Sequence, residues 1–184
     1  RALRAGLMDF ERRQHYRGPE KFIALGADAS GNLDDWVDEA LADHPDNGDI
    51  LSALVLEASP KRVLVARQDG NPIEITGDGL KPVQSGLSEK APPHLKIRRG
   101  AIVRIAKTAK GSWEMTQLPE VEGAFVAMNP RSGAIRALVG GFDFQKNKFN
   151  HVTQAWRQPG SSFKPFIYSA ALEKGVTPTT VVHD

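Results

Sequence analysis

A chain of 184 residues has room for one fair-sized domain or two small ones. Its 40% hydrophobic and 25% charged residues are ordinary for a globular protein, and a formal net charge of +2 is too small to argue by itself for a nucleic-acid partner. No apolar run approaches the roughly twenty residues of a membrane span, and the absence of cysteine excludes a disulfide framework and a thiolate metal site.

The chain opens on "RALRAGLMDF", which carries the charge of a signal peptide without its apolar stretch or cleavage site. It begins at Arg1 with no initiator Met and stops at "VVHD" without a closing element, so a piece of something longer is expected. Leu3, Leu7 and Phe10 have helical spacing and predict a short helix, followed by a charged connector, "FERRQHYRGPE". "NLDDWVDEALADHP" predicts a second helix, with Asp34 or Asp35 as cap, an apolar stripe of Trp36, Val37, Ala40 and Leu41, and Pro45 as its end.

From Asp49 the period changes. "DILSALVLEAS" reads as a strand, and "KRVLVAR" and "NPIEITG" flank a hairpin signal at Asp69-Gly70. Pro92-Pro93 makes "LSEKAPPHL" a loop. "GAIVRIAK" and "SWEMTQL" then alternate around a turn at Lys110-Gly111. Five short strands over residues 49–118 predict a small barrel or sandwich.

Beyond it, two apolar strands at residues 123–128 and 134–139 are joined by "NPRSG", a tight turn built from Asn129, Pro130 and Gly133. Their near-continuous apolarity predicts a hairpin covered on both faces. "FDFQKNKFNHVTQAW" is a polar and aromatic connector, and "SSFKPFIYSAALEKG" is a helix with Phe163, Phe166, Ile167, Ala170 and Ala171 on one side and Gly175 as its stop.

Charge is unevenly placed. Residues 22–60 hold nine acidic side chains and no Lys or Arg, while residues 96–110 hold six basic and no acidic ones. This reads either as two solvated faces that neutralise each other or as a docking surface for a partner.

Chemistry concentrates at Ser161 and Lys164. In isolation the pair reads as a helix-start serine with a solvated lysine. Pro165 lacks the N–H that would bond back to Ser161, so regular helix is expected from about Ser162, with Ser161 at its mouth. Helix N-terminal amides and the macrodipole there favour an oxyanion. Lys164, one turn on, shares the face. To accept a proton it must be partly neutral, which requires a desolvated ammonium; Phe163 and Phe166 are consistent with such a setting.

The stretch "QAWRQPGSSFKPFIYSAALEKG" resembles the first active-site motif, Ser-x-x-Lys, of the penicillin-binding transpeptidases. "GAFVAMNPRSGAIRALVGG" and "FDFQKNKFNHVTQA" resemble the start of that domain, and "GLMDFERRQHYRGPE" resembles the exit from the glycosyltransferase domain of the bifunctional class A, 1A-like enzymes. The resemblance implies a mainly β chain with short helices. Residues 1–21 would be the connector from a glycosyltransferase domain, residues 22–118 an OB-like inserted or docking domain, and residues 119–184 an incomplete α/β transpeptidase segment of the penicillin-binding/β-lactamase-like kind.

It further implies Ser161 as nucleophile, Lys164 as general base, and the Ser161 backbone N–H as half of an oxyanion hole, with no cofactor and no metal. The implied partners are peptidoglycan stem peptides ending in D-Ala-D-Ala, β-lactams, an outer-membrane lipoprotein activator, and the rest of the parent polypeptide. The implied setting is the periplasmic face of the inner membrane, with the parent held by an N-terminal transmembrane helix. His151 stands where the family pattern has Arg, and it reads as structural. The family's other motifs are not matched. "SGN" at Ser30–Asn32 precedes Ser161 instead of following it, there is no Lys-Thr-Gly, and only twenty residues follow Lys164. The chain alone is therefore expected to be inactive. Two rivals remain. One is a protein-docking module at residues 22–118. The other is a nucleic-acid-binding barrel built on "KIRRGAIVRIAKTAK", which is poor in the aromatics that base stacking needs.

Overall fold

The structure is a computed structural model that describes residues 1–24, 33–68 and 72–181. The predicted hairpin turn at Asp69-Gly70 and the "SGN" triplet lie outside the described residues.

Helix α1 (Ala2–Glu11) forms from a run without Pro or β-branched residues. Its buried residues are Met8 and Glu11, whereas Phe10, expected in the apolar stripe, faces solvent. Helix α2 (Leu33–Leu41) carries Asp34 and Asp35 in its first turn, where they complement the macrodipole. It buries Val37, Ala40 and Leu41 and stops short of Pro45.

The central sheet has the order β1-β5-β2-β3-β4, formed by β1 (Lys21–Phe22), β5 (Ala101–Lys107), β2 (Ile50–Ala58), β3 (Arg62–Ala66) and β4 (Ile73–Thr76). Strand β6 (Trp113–Thr116) also pairs with β5, antiparallel like the rest. It takes Arg104–Lys107, while β1 takes Ala101 and Ile102 on the same strand. The five expected strands are present, and β1 is an addition; two residues show no periodicity in a sequence. A second addition is the 3₁₀ segment Gly77–Val83 leading into α3 (Gln84–Leu87), which packs between β4 and β6. Gly79 fits that gap because a Cβ there would stand 2.3 Å from the Trp113 carbonyl oxygen and 2.9 Å from Ile75 Cγ2. The result is a small, partly open barrel.

Strand β2 explains the core. Its alternate residues Ala53 and Val55 face the barrel interior with Val63, Val65, Ile75, Val103, Ile105 and Met115. Leu54, between them, points the other way into a layer with Val37, Leu41 and Ile102, so α2 covers the outer face. A third small cluster joins α1 to the barrel through Met8, Ile50 and Phe142.

Charge pairing differs from the expected acidic-against-basic neutralisation. Asp46, Asp49 and Glu57 pair with Arg67, Arg4 and Arg62, all outside the basic run. Arg104, from that run, pairs with Glu20 of the connector; Arg98 and Lys107 lie over the rings of Phe22 and Trp113. Residue types alone carry no information on which cation reaches which anion across a folded sheet.

The apolar hairpin forms as β7 (Phe125–Met128) against β8 (Ile135–Val139). Asn129 Oδ1 accepts the Arg131 and Ser132 amides, and Gly133 sits at φ 71°. The expectation that both faces are covered is not met. Phe125, Met128 and Ile135 are each more than half exposed, because the other described elements cover little of this hairpin. Helix α4 (Lys164–Glu173) is likewise unburied.

Candidate active site around Ser161

The segment that carries Ser161 is anchored at its base. His151 donates its amide to the Gly140 carbonyl at 2.8 Å and holds its ring Nδ1 2.9 Å from the same oxygen, with Phe149 edge-on to the ring at 4.9 Å. His151 thus ties the connector back to the end of β8. Asn150 turns the chain: its Oδ1 accepts the Val152 amide at 2.9 Å, and its own amide donates to Gln154 Oε1 at 2.6 Å. Sequence reasoning missed Asn150, although an Asn followed by polar residues in a connector is the signal for an Asx turn. Glu122, whose Oε2 accepts the Phe142 amide at 2.5 Å, was also missed. Its partner lies twenty residues away, beyond any local pattern.

Ser161 lies in a 3₁₀ turn, Gly160–Phe163, that precedes α4. Regular α-helix begins at Lys164, two residues later than the expected start near Ser162. The Lys164 amide donates to the Ser161 carbonyl, an i to i+3 bond that keeps the turn tight. Pro165 at the helix start has no N–H to make the longer α-type bond to that oxygen. Gly160 enters the turn at φ 54°, a left-handed conformation that favours glycine. Neither helix start has a side-chain cap hydrogen bond, so the capping alternative for Ser161 and Ser162 is not what the turn uses.

The two chemical groups therefore sit one turn apart at the mouth of α4, both exposed. Among the described residues no hydrogen bond joins Ser161 Oγ to Lys164 Nζ. The desolvated setting expected from Phe163 and Phe166 is not present. Their rings pair at 5.5 Å but are 53% and 68% exposed, so they do not shield the lysine. Among the described residues there is no group of three or more His, Cys, Asp or Glu side chains fit to hold a metal, and no helix long and apolar enough to cross a membrane.

The sequence profile of the penicillin-binding protein OB-like domain matches residues 16–121, and that of the penicillin binding protein transpeptidase domain matches residues 123–184. The chain belongs to the penicillin-binding protein family. It is 39% identical over 183 residues to penicillin-binding protein 1A of Neisseria flavescens, covering 100% of this chain and 23% of that protein. It is 34% identical over 189 residues to penicillin-binding protein 1A of Pseudomonas aeruginosa, covering 100% of this chain and 22% of that protein. The crystal structure of penicillin-binding protein 1A from Haemophilus influenzae matches all of this chain and 26% of its own, with a TM-score of 0.75 and 32% identity. The chain thus spans roughly a quarter of the length of these relatives. Its fold class is mainly β with short helices, an OB-like domain followed by the start of a transpeptidase domain.

Proposed function

We propose that this chain is part of a peptidoglycan synthase and contributes the nucleophile of a serine acyl-transfer transpeptidase. The observation that carries this reading is Ser161 in a 3₁₀ turn at the mouth of α4, with Lys164 one turn on, inside the transpeptidase match. Ser161 Oγ attacks the penultimate D-alanine carbonyl of a stem peptide as Lys164 Nζ takes its proton. Collapse of the tetrahedral intermediate expels the terminal D-alanine, whose amine receives that proton, and leaves an ester on Ser161. An amine of a neighbouring stem peptide then attacks the ester, forms the cross-link and returns the proton to Ser161 Oγ. Splitting one acyl transfer into two lowers each barrier. The Ser161 N–H would donate to the oxyanion; one such donor is typically worth roughly 2.7–4 kcal/mol. A β-lactam follows the same first step and stops at the ester.

Lys164 is solvated in this chain, and a lysine acts as a base near neutral pH only when burial or crowding lowers its proton affinity. The chain alone is therefore a partial site, and residues 1–21, 22–118 and 119–184 serve as connector, inserted domain and incomplete transpeptidase segment. The parent would also be a glycosyltransferase, anchored at the periplasmic face of the inner membrane. An outer-membrane lipoprotein activator would meet the acidic face of α2, where Asp35, Asp38 and Glu39 are exposed.

The test is labelling of the whole protein with a fluorescent penicillin, followed by peptide mapping. Label is expected on Ser161 and absent from Ser161→Ala. A folded whole protein that takes no label at Ser161 overturns the reading.

A further inference from the structure

Arg4 stands where three parts of the chain meet. Its Nε donates to Asp49 Oδ1 at 2.8 Å, and its Nη2 donates to the Asn47 carbonyl and, at 2.9 Å, to Asn47 Oδ1. Those contacts grip the loop that enters β2. On the other side Nη1 lies 3.7 Å from Asp143 Oδ2, and the guanidinium carbon sits 4.2 Å over the ring of Phe142. Phe142 is 7% exposed and packs with Met8 and Ile50. A planar guanidinium with five donors can hold two carboxylates, an amide and a ring face in one geometry; an ammonium cannot.

What Arg4 grips is the base of the Ser161 segment. Phe142 follows directly on Gly140 and Gly141, and Gly140 is the residue to which His151 is fastened. Asp143 Oδ1 accepts the Gln145 amide at 2.7 Å, and its carbonyl accepts the Asn147 amide at 3.0 Å. The hairpin and α4 have little other packing on the barrel.

We propose that Arg4 is a positioning residue, which fixes the hairpin and the Ser161 segment in one orientation relative to the OB-like barrel. Arg4 touches no reacting atom. Its effect falls on reactions in which Ser161 must meet a substrate held by the rest of the protein, and not on attack by a small soluble acyl donor. That functional consequence rests on Ser161 being the nucleophile; the geometric one does not.

This chain supplies no cysteine of its own, so spin labels on cysteines introduced at Lys110 and Glu173 report the barrel-to-helix distance in the whole protein. A single narrow distance is expected with Arg4 present, and its loss is expected in Arg4→Met. Phe142→Leu, which keeps the apolar contact and removes the ring under the guanidinium, is expected to lose it too and decides the matter if Arg4→Met does not fold. In the same variants, penicillin labelling of Ser161 is expected to persist while cross-linking of stem peptides falls about tenfold, within the range that misplacement by about 1 Å can cost. A narrow distance retained in a folded variant, or penicillin labelling and cross-linking falling together, overturns the proposal. If the unsubstituted protein takes no label at Ser161, the transpeptidase reading fails and the distance measurement still judges Arg4.

Discussion

Arg104 is the most deeply placed cation of the barrel. Its side chain is 5% exposed, and it meets Glu20 through two parallel bonds, Nε to Oε1 at 2.7 Å and Nη2 to Oε2 at 2.9 Å. Its Nη1 donates to the Pro45 carbonyl at 2.7 Å, and His44 Nδ1 lies 2.8 Å from Glu20 Oε2. One side chain therefore fastens the connector and the chain after α2 to β5. Removing one partner of a buried pair costs about 3–5 kcal/mol. Arg104→Met should cost less, about 2–3 kcal/mol, because Glu20 remains 27% exposed and can rehydrate, and the methionine stem keeps part of the packing. With a urea slope of about 1–3 kcal/mol/M, the midpoint should drop by about 0.7–3 M.

The pH dependence has a definite sign. Burial, the largest influence on Glu20, pushes its carboxyl up, but hydrogen bonds from Arg104 and then His44, with their charges, outweigh it and hold the group below its ordinary value. A depressed folded value contributes stability that is present above the unfolded value and is lost as pH falls through the folded one. The gap between the unsubstituted chain and Arg104→Met should thus be widest at about pH 7 and narrow towards about pH 3. Urea titrations at both pH values, followed by tryptophan fluorescence, measure it. A midpoint drop below about 0.3 M, or a gap that does not change with pH, would refute the account.

Gly79→Ala should lower the thermal midpoint by the equivalent of about 1–3 kcal/mol, since its Cβ would meet backbone at Trp113, which cannot swing away; an unchanged midpoint would show that β4 and β6 can part there. If the acidic face of α2 receives the activator, pulldown by the whole protein should survive deletion of residues 119–184 and weaken when Asp38 and Glu39 become Asn and Gln. Dependence on Ser161 instead would point to a different surface.

The barrel strands were legible because a half-buried strand writes its two faces into alternate residues, as Ile73, Glu74, Ile75 and Thr76 do in β4. The helix that carries Lys164 was legible from its apolar residues and its stop at Gly175, whereas the 3₁₀ turn that holds Ser161 ahead of it was not. What the sequence hid was non-local or too short. Strand β1 is a Lys-Phe pair that becomes a strand only because Ala101 and Ile102 lie beside it. The 3₁₀ segment at Gly77–Val83 is masked by its own glycines and Pro82, which read as loop. Arg104 finds Glu20 across 84 residues, and Arg4 reaches Asn47, Asp49 and Asp143 along no local pattern.

The hairpin and α4 show what an apolar pattern does and does not fix. The residues of β7 and β8 pair in the register their turn imposes, with Val126 opposite Leu138 and Ala127 opposite Ala137, so local chemistry is enough to form the hairpin. It is not enough to bury it. Phe125, Met128 and Ile135 of the hairpin are each more than half exposed, as are Phe166, Ile167 and Tyr168 of α4. Burying each such side chain is worth roughly 1.5–3 kcal/mol, so any element that covers the hairpin or α4 adds to the stability of this segment. Lys164 stands on the first turn of α4 beside Phe163 and Phe166, so a cover over those two rings would also reach the lysine. Cover of α4 thus serves two ends, adding stability to the helix and excluding water from Lys164, and under the proposed mechanism a lysine able to take the Ser161 proton is expected only where α4 is packed.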